Sequence, residues 1–115
     1  MKIAVLSDIH GNLAALDAVL VDVADRSVDL IVNLGDICSG ALFPCETANR
    51  LMALSLPTIR GNHERQVLTQ SFDEMGLSDR HAASRLREDQ RAWLASLPAT
   101  LRLSDEVLID RKSVV

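Results

Sequence analysis

The sequence predicts an α/β fold organised on parallel strands joined by helical crossovers. Three observations carry this. Two short, continuously apolar runs, IAVL at Ile3–Leu6 and LIVNL at 30–34, have the character of strands buried on both faces. Between them Leu13, Leu16, Val19, Leu20 and Val23 recur at helical spacing, with Asp17, Asp22 and Asp25 mostly off that stripe. The connection between the runs is long enough to bring the second strand back parallel to the first.

The elements follow in order. After the first strand, residues 7–12 are polar and contain Gly11, which marks a turn, and Asn12 is placed to cap the helix over 13–26. Gly35 breaks the second strand. Residues 40–43 form a loop, and Pro44 suits the first turn of a second helix running to Ala53. A third strand is expected over 56–59, entered through Pro57 and ended by Gly61. Residues 64–69, 78–86 and 88–97 read as helices, the last with Trp93 and Leu94 facing inward and Pro98 as its stop. Residues 101–103 and 107–109 read as two strands around Ser104 and Asp105. The chain has no internal repeat.

Composition narrows the function. A chain of 115 residues, 48% hydrophobic and 24% charged, is long enough for one buried core and is not a disordered tract. Aromatic residues make up 3%, without tyrosine, which argues against a base-stacking surface. A net charge of −4 argues against a broad basic face for nucleic acid or an anionic membrane. Two cysteines, Cys38 and Cys45, do not make a disulfide framework. The first apolar run is too short for a signal peptide, and no run approaches a membrane span. The expected setting is the cytoplasm, with neither a membrane partner nor an extended nucleic-acid partner.

Each of the three predicted strands is followed by residues that suit metal ligation. Asp8-Ile9-His10-Gly11-Asn12 follows the first, Gly35-Asp36 the second, and Gly61-Asn62-His63-Glu64 the third. Taken singly these are ordinary turn or cap signals. In an open parallel sheet, however, functional groups gather at the carboxyl ends of the strands, so the three clusters should converge. Carboxylate with imidazole suits Zn, Mn, Fe or Co better than Ca or Mg. Asp8 and His10, two apart in an extended turn, can face one side. The glycines at 11, 35 and 61 let backbone pass close to the ligands. A site with two metals needs a shared carboxylate, and Asp36 is the candidate on the middle strand.

D-x-H, G-D and G-N-H-E in this order resemble the calcineurin-like metallophosphoesterase superfamily, and MKIAVLSDIHGNLAALDAVL resembles its small bacterial branch. The resemblance extends from Met1 to about Ile109 and is most specific through Glu64. It implies the N-terminal part of a four-layer αββα sandwich. It implies two divalent metal ions, drawn from Mn, Zn, Fe, Ni or Co. Asp8 and His10 would bind the first, Asp36 would bridge, and Asn62 would bind the second. His63 would stand beside the leaving group as general acid or transition-state stabiliser. The implied reaction is hydrolysis of a phosphomonoester or phosphodiester, with a metal-bound hydroxide as nucleophile.

The resemblance also implies later ligands, a strand-end histidine and a G-H-x-H motif. After Glu64 this chain has one histidine, His81, in a charged stretch expected to face solvent. The fold is therefore expected to be truncated before its second half, and the chain by itself to be inactive. The alternative is a non-catalytic interaction module on the same fold; the presence of both His10 and His63 favours an enzyme parent. Residues 1–109 are read as the domain. Residues 110–115, DRKSVV, are read as a non-native tail, because they and a following stop are encoded by a string resembling a sequencing-library adapter. Cys38 and Cys45 read as packing, and Arg60 and Arg65 as able to hold a phosphate or to face solvent.

Overall fold

The computed structural model describes residues 1–110. Strand β1 (Ile3–Leu6) pairs in parallel with β2 (Leu30–Asn33), Ile3 opposite Leu30 and Leu6 opposite Asn33. Helix α1 (Leu13–Ala24) makes the crossover, and the Asn12 side chain accepts the Ala15 N–H at its start. Helix α2 (Pro44–Leu54) begins at Pro44 as expected, since the first turn has no use for that N–H.

The expected third strand is reduced to a single parallel bridge between Asn33 and Thr58. The Asn33 N–H donates to the Pro57 carbonyl and the Ile59 N–H to the Asn33 carbonyl, at 2.9 Å each. Pro57 has no N–H with which to extend the ladder, and the Thr58 hydroxyl turns back onto the Leu56 carbonyl. The segment still runs beside β2 and delivers Gly61 to the same end of the sheet as Asp8 and Asp36.

Helix α3 (Asn62–Thr69) starts two residues earlier than the sequence suggests. A 3-10 turn at Phe72–Glu74 leads to α4 (Leu77–Arg85) and α5 (Glu88–Ser96). Strands β3 (Thr100–Arg102) and β4 (Leu108–Asp110) form an antiparallel hairpin as expected, in a sheet separate from β1 and β2. Asp110, read from sequence as the start of a tail, closes β4 opposite Thr100; residues 111–115 lie outside the described residues.

Leu6, Leu16, Ile37, Cys38, Ala48, Leu51, Val67, Ala82 and Leu94 form one core, with Trp93 packed against it. Gln90, fully buried, ties α5 to α2 by donating to the Cys45 carbonyl and the Asn49 side chain. β1 departs from the expectation of burial on both faces. Leu6 is buried, but Val5, which points the other way, is 57% exposed because no layer of the described residues covers that face.

Candidate metal centre

The loops after β1 and β2 run side by side. The Asp8 N–H donates to the Gly35 carbonyl (3.1 Å), His10 N–H to Asp36 (3.0 Å) and Gly11 N–H to Ile37 (2.7 Å), so strand pairing in effect continues past the sheet. Gly35 makes this possible. Its φ is +98°, and a Cβ there would run into the backbone nitrogen of Gly61. The turn that follows exposes one ligand-type side chain from each loop. Asp8, His10 and Asp36 all hold left-handed φ values, 59°, 49° and 58°. Side chains disfavour that region, and residues held there concentrate at functional sites.

One ligand atom from each of Asp8, His10 and Asp36 lies within 4.8 Å of the others. Asp8 is exposed, His10 half-buried and Asp36 buried. His10 Nδ1 lies 2.7 Å from the Ser39 carbonyl oxygen. A carbonyl only accepts, so Nδ1 carries the proton and the neutral ring turns the Nε2 lone pair outward. That Nε2 is 3.3 Å from an Asp8 carboxylate oxygen. Two acceptors facing each other at this distance suit a cation shared between them. The donor set of two carboxylates and an imidazole backed by a carbonyl fits a divalent transition metal.

The third cluster arrives on α3. Asn62 is its first residue, half-buried between Gly61 and His63. The His63 N–H donates to Asp36 Oδ1 (3.1 Å), and a Cβ on Gly61 would collide with that same carboxylate. The fold thus places Asn62 between two residues that both touch Asp36. The His10 and His63 rings meet edge to face with centroids 5.2 Å apart.

Three residues with a part in this arrangement have no metal-site role in the sequence reading. Glu64 is buried, and its carboxylate accepts the N–H groups of Asp36 (2.7 Å), Ile37 (2.9 Å) and Gly61 (2.9 Å), clasping the second loop to α3. Burial pushes the Glu64 carboxyl up from its usual range, opposed by those three donors and reinforced by the Asp36 charge. Its place three residues after Gly61, at the third position of a helix, is the signal that could have revealed it. Asp79 and Ser39 are also buried. The Ser39 hydroxyl donates to Asp79 Oδ1 (2.5 Å), and His63 Nδ1 meets the same oxygen at 3.0 Å. Sixteen residues separate Asp79 from His63, and no local pattern joins them.

Cys38 is buried filler, as expected: burial, with Glu64 and Cys45 nearby, pushes its thiol well above the usual range and keeps it protonated. His81 is half-buried rather than solvated, beside Leu42, Phe43 and Arg85 and apart from the three ligand-type residues. No helix among the described residues is long and apolar enough to cross a membrane.

A fold in which three loops at one sheet end bring D-x-H, G-D and G-N-H-E together defines a metallophosphoesterase. The calcineurin-like phosphoesterase family profile matches residues 1–113, and the chain belongs to that family. A metallophosphoesterase from Sphaerobacter thermophilus superposes on 89% of this chain with a TM-score of 0.72 and 30% identity. Protein PH1004 from Pyrococcus horikoshii shares the fold over 87% of the chain, with a TM-score of 0.78 and 21% identity. Protein MJ0912 of Methanocaldococcus jannaschii is 44% identical over 66 residues, 57% of this chain. The chain spans 43% and 49% of the two structures and its match covers 27% of MJ0912. The likeness is therefore to part of each relative, and it supports the expected N-terminal placement within an α/β metallophosphoesterase fold.

Proposed function

We propose that this chain carries one part of a phosphoester hydrolase site that uses two divalent metal ions. Asp8 and His10 would hold the first, Asp36 would be shared, and Asn62 would supply a ligand to the second. Bound there, such ions would supply polarisation of the phosphoryl oxygens and a water of lowered pKa as nucleophile. The protein groups do the rest. The Ser39 carbonyl orients His10. Glu64 holds Asp36 and Gly61 in register. His63, beside Asp36, offers a ring nitrogen for proton transfer to the leaving oxygen, which suits either a phosphomonoester or a phosphodiester. The observation that carries this reading is the convergence of Asp8, His10 and Asp36 from two loops on left-handed backbone.

The family resemblance implies further histidine ligands for such a site. Beyond His63 the chain offers only His81, which lies apart from the three ligand-type residues. We therefore expect the 115-residue chain to bind metal and to hydrolyse bis-p-nitrophenyl phosphate feebly. The test is Mn-supplemented turnover, compared with the Sphaerobacter thermophilus metallophosphoesterase under the same conditions. Rates no more than slightly above the metal-only background are expected, and turnover matching the longer enzyme would contradict the reading.

A further inference from the structure

Asp79 is a carboxylate with no place in the mechanism above, yet it is 5% exposed in the first turn of α4. Burying a carboxylate is costly unless partners meet it. Its Oδ1 has two such partners, the Ser39 hydroxyl at 2.5 Å and His63 Nδ1 at 3.0 Å. Ser39 is itself 2% exposed, and its carbonyl oxygen is the atom that His10 Nδ1 meets at 2.7 Å. One residue thus reaches both histidines, His10 through its backbone and His63 through its hydroxyl and Asp79.

Both contacts have the same chemical sense. A backbone carbonyl and a carboxylate each accept, so each histidine must donate from Nδ1. The neutral ring then has its lone pair on Nε2, the reverse of the tautomer that a free histidine side chain prefers. The edge-to-face packing of the two rings, 5.2 Å between centroids, limits rotation of either.

We propose that Ser39 and Asp79 form one positioning unit that holds His10 and His63 together as Nδ1–H tautomers, leaving Nε2 of each for the site. His10 then presents Nε2 toward Asp8, and Nε2 is the acceptor nitrogen of His63. What those Nε2 atoms accomplish rests on the proposed phosphoesterase reading; the tautomers belong to the folded chain and are measured without metal or substrate. The unit also makes α4, which contributes none of the motif residues, part of the apparatus behind the site.

Long-range 1H–15N spectra of the imidazole rings test this on the 15N-labelled 115-residue chain, with chelator present, at pH about 8, above the ordinary imidazole range. His10 and His63 should both show Nδ1 protonated and Nε2 unprotonated, with His81 as an internal comparison. Asp79→Leu should return His63 to the free-histidine pattern while His10, held by a carbonyl, keeps its own. Asp79→Asn, which retains an acceptor oxygen, should restore the wild-type His63 pattern. Nε2–H at either histidine of the wild-type chain overturns the proposal, as does an unchanged His63 in Asp79→Leu. The wild-type spectrum decides even if a variant fails to fold. A metal titration of Asp79→Asn separates the two readings. Binding close to wild type is expected, because Asp8, His10 and Asp36 are intact. If the wild-type chain binds no metal while its tautomers are as stated, the phosphoesterase reading fails and the positioning unit stands.

Discussion

Glu64 replaces a strand interaction that the sheet cannot supply at this point. Three backbone N–H groups, of Asp36, Ile37 and Gly61, have turned away from the ladder and end on its two oxygens. Glu64→Ala would leave all three without that acceptor, and each buried, unsatisfied donor costs about 1–3 kcal/mol. A loss of about 3 kcal/mol or more is expected by urea denaturation, with Glu64→Gln, which keeps one acceptor oxygen, falling between Ala and wild type. Equal stability of Glu64→Ala and wild type would show that the clasp contributes nothing. Gly35 is constrained more severely, by its positive φ and by the Gly61 backbone together. Gly35→Ala is expected to abolish cooperative folding, checked by the loss of a sigmoidal thermal transition. The convergence of Asp8, His10 and Asp36 was legible in the sequence because each lies within a few residues of a strand end, and the same placement puts Asn62 and His63 beside Asp36. Ser39 and Asp79 were not legible. Their hydrogen bond joins positions 40 apart and depends on how α4 packs, which no local spacing encodes.

At the scale of elements, β1, α1 and β2 were readable from apolar periodicity, and α2 from Pro44. The third strand was misread because its apolar residues outweighed Pro57, whose missing N–H limits the pairing to one bridge. The start of α3 was misplaced because the helix is initiated by the Glu64 side chain closing on the Gly61 N–H, which places Asn62 and His63 inside its first turn. Helix α1 has a more ordinary cap, the Asn12 side chain on the Ala15 N–H at 3.1 Å. Asn12→Ala should therefore destabilise the fold by about 1 kcal/mol, while Asn12→Ser should recover most of it. Both should leave metal affinity as it was, since Asn12 contributes no ligand atom. A drop in metal affinity with unchanged stability would mean that Asn12 acts on the site and not on the helix.

For the whole molecule, what the sequence could not show was which strand faces would find cover. Val5 on β1, Val19 and Val21 on α1 and Leu108 on β4 are 57%, 42%, 66% and 55% exposed. The continuous apolar character of IAVL belongs to a strand with a layer on each side, and one layer is missing among the described residues. Apolar surface left open in this way promotes association. The chain is expected to bind a hydrophobic dye and to self-associate with rising concentration in sedimentation velocity, and Val5→Thr, which keeps a β-branched residue on the strand, should reduce both. A monodisperse monomer without dye binding would contradict this.

Asp8, His10 and Asp36 are proposed to form a cation site. This is tested most directly by calorimetric titration of the chain with Mn2+ and Zn2+, alongside Asp8→Ala, His10→Ala and Asp36→Ala. Saturable binding to the wild-type chain is expected, with a loss of affinity of at least about tenfold in each variant and the largest loss for Asp36→Ala, whose carboxylate is proposed to be shared. No binding to the folded wild-type chain, or equal binding to all three variants, would contradict it.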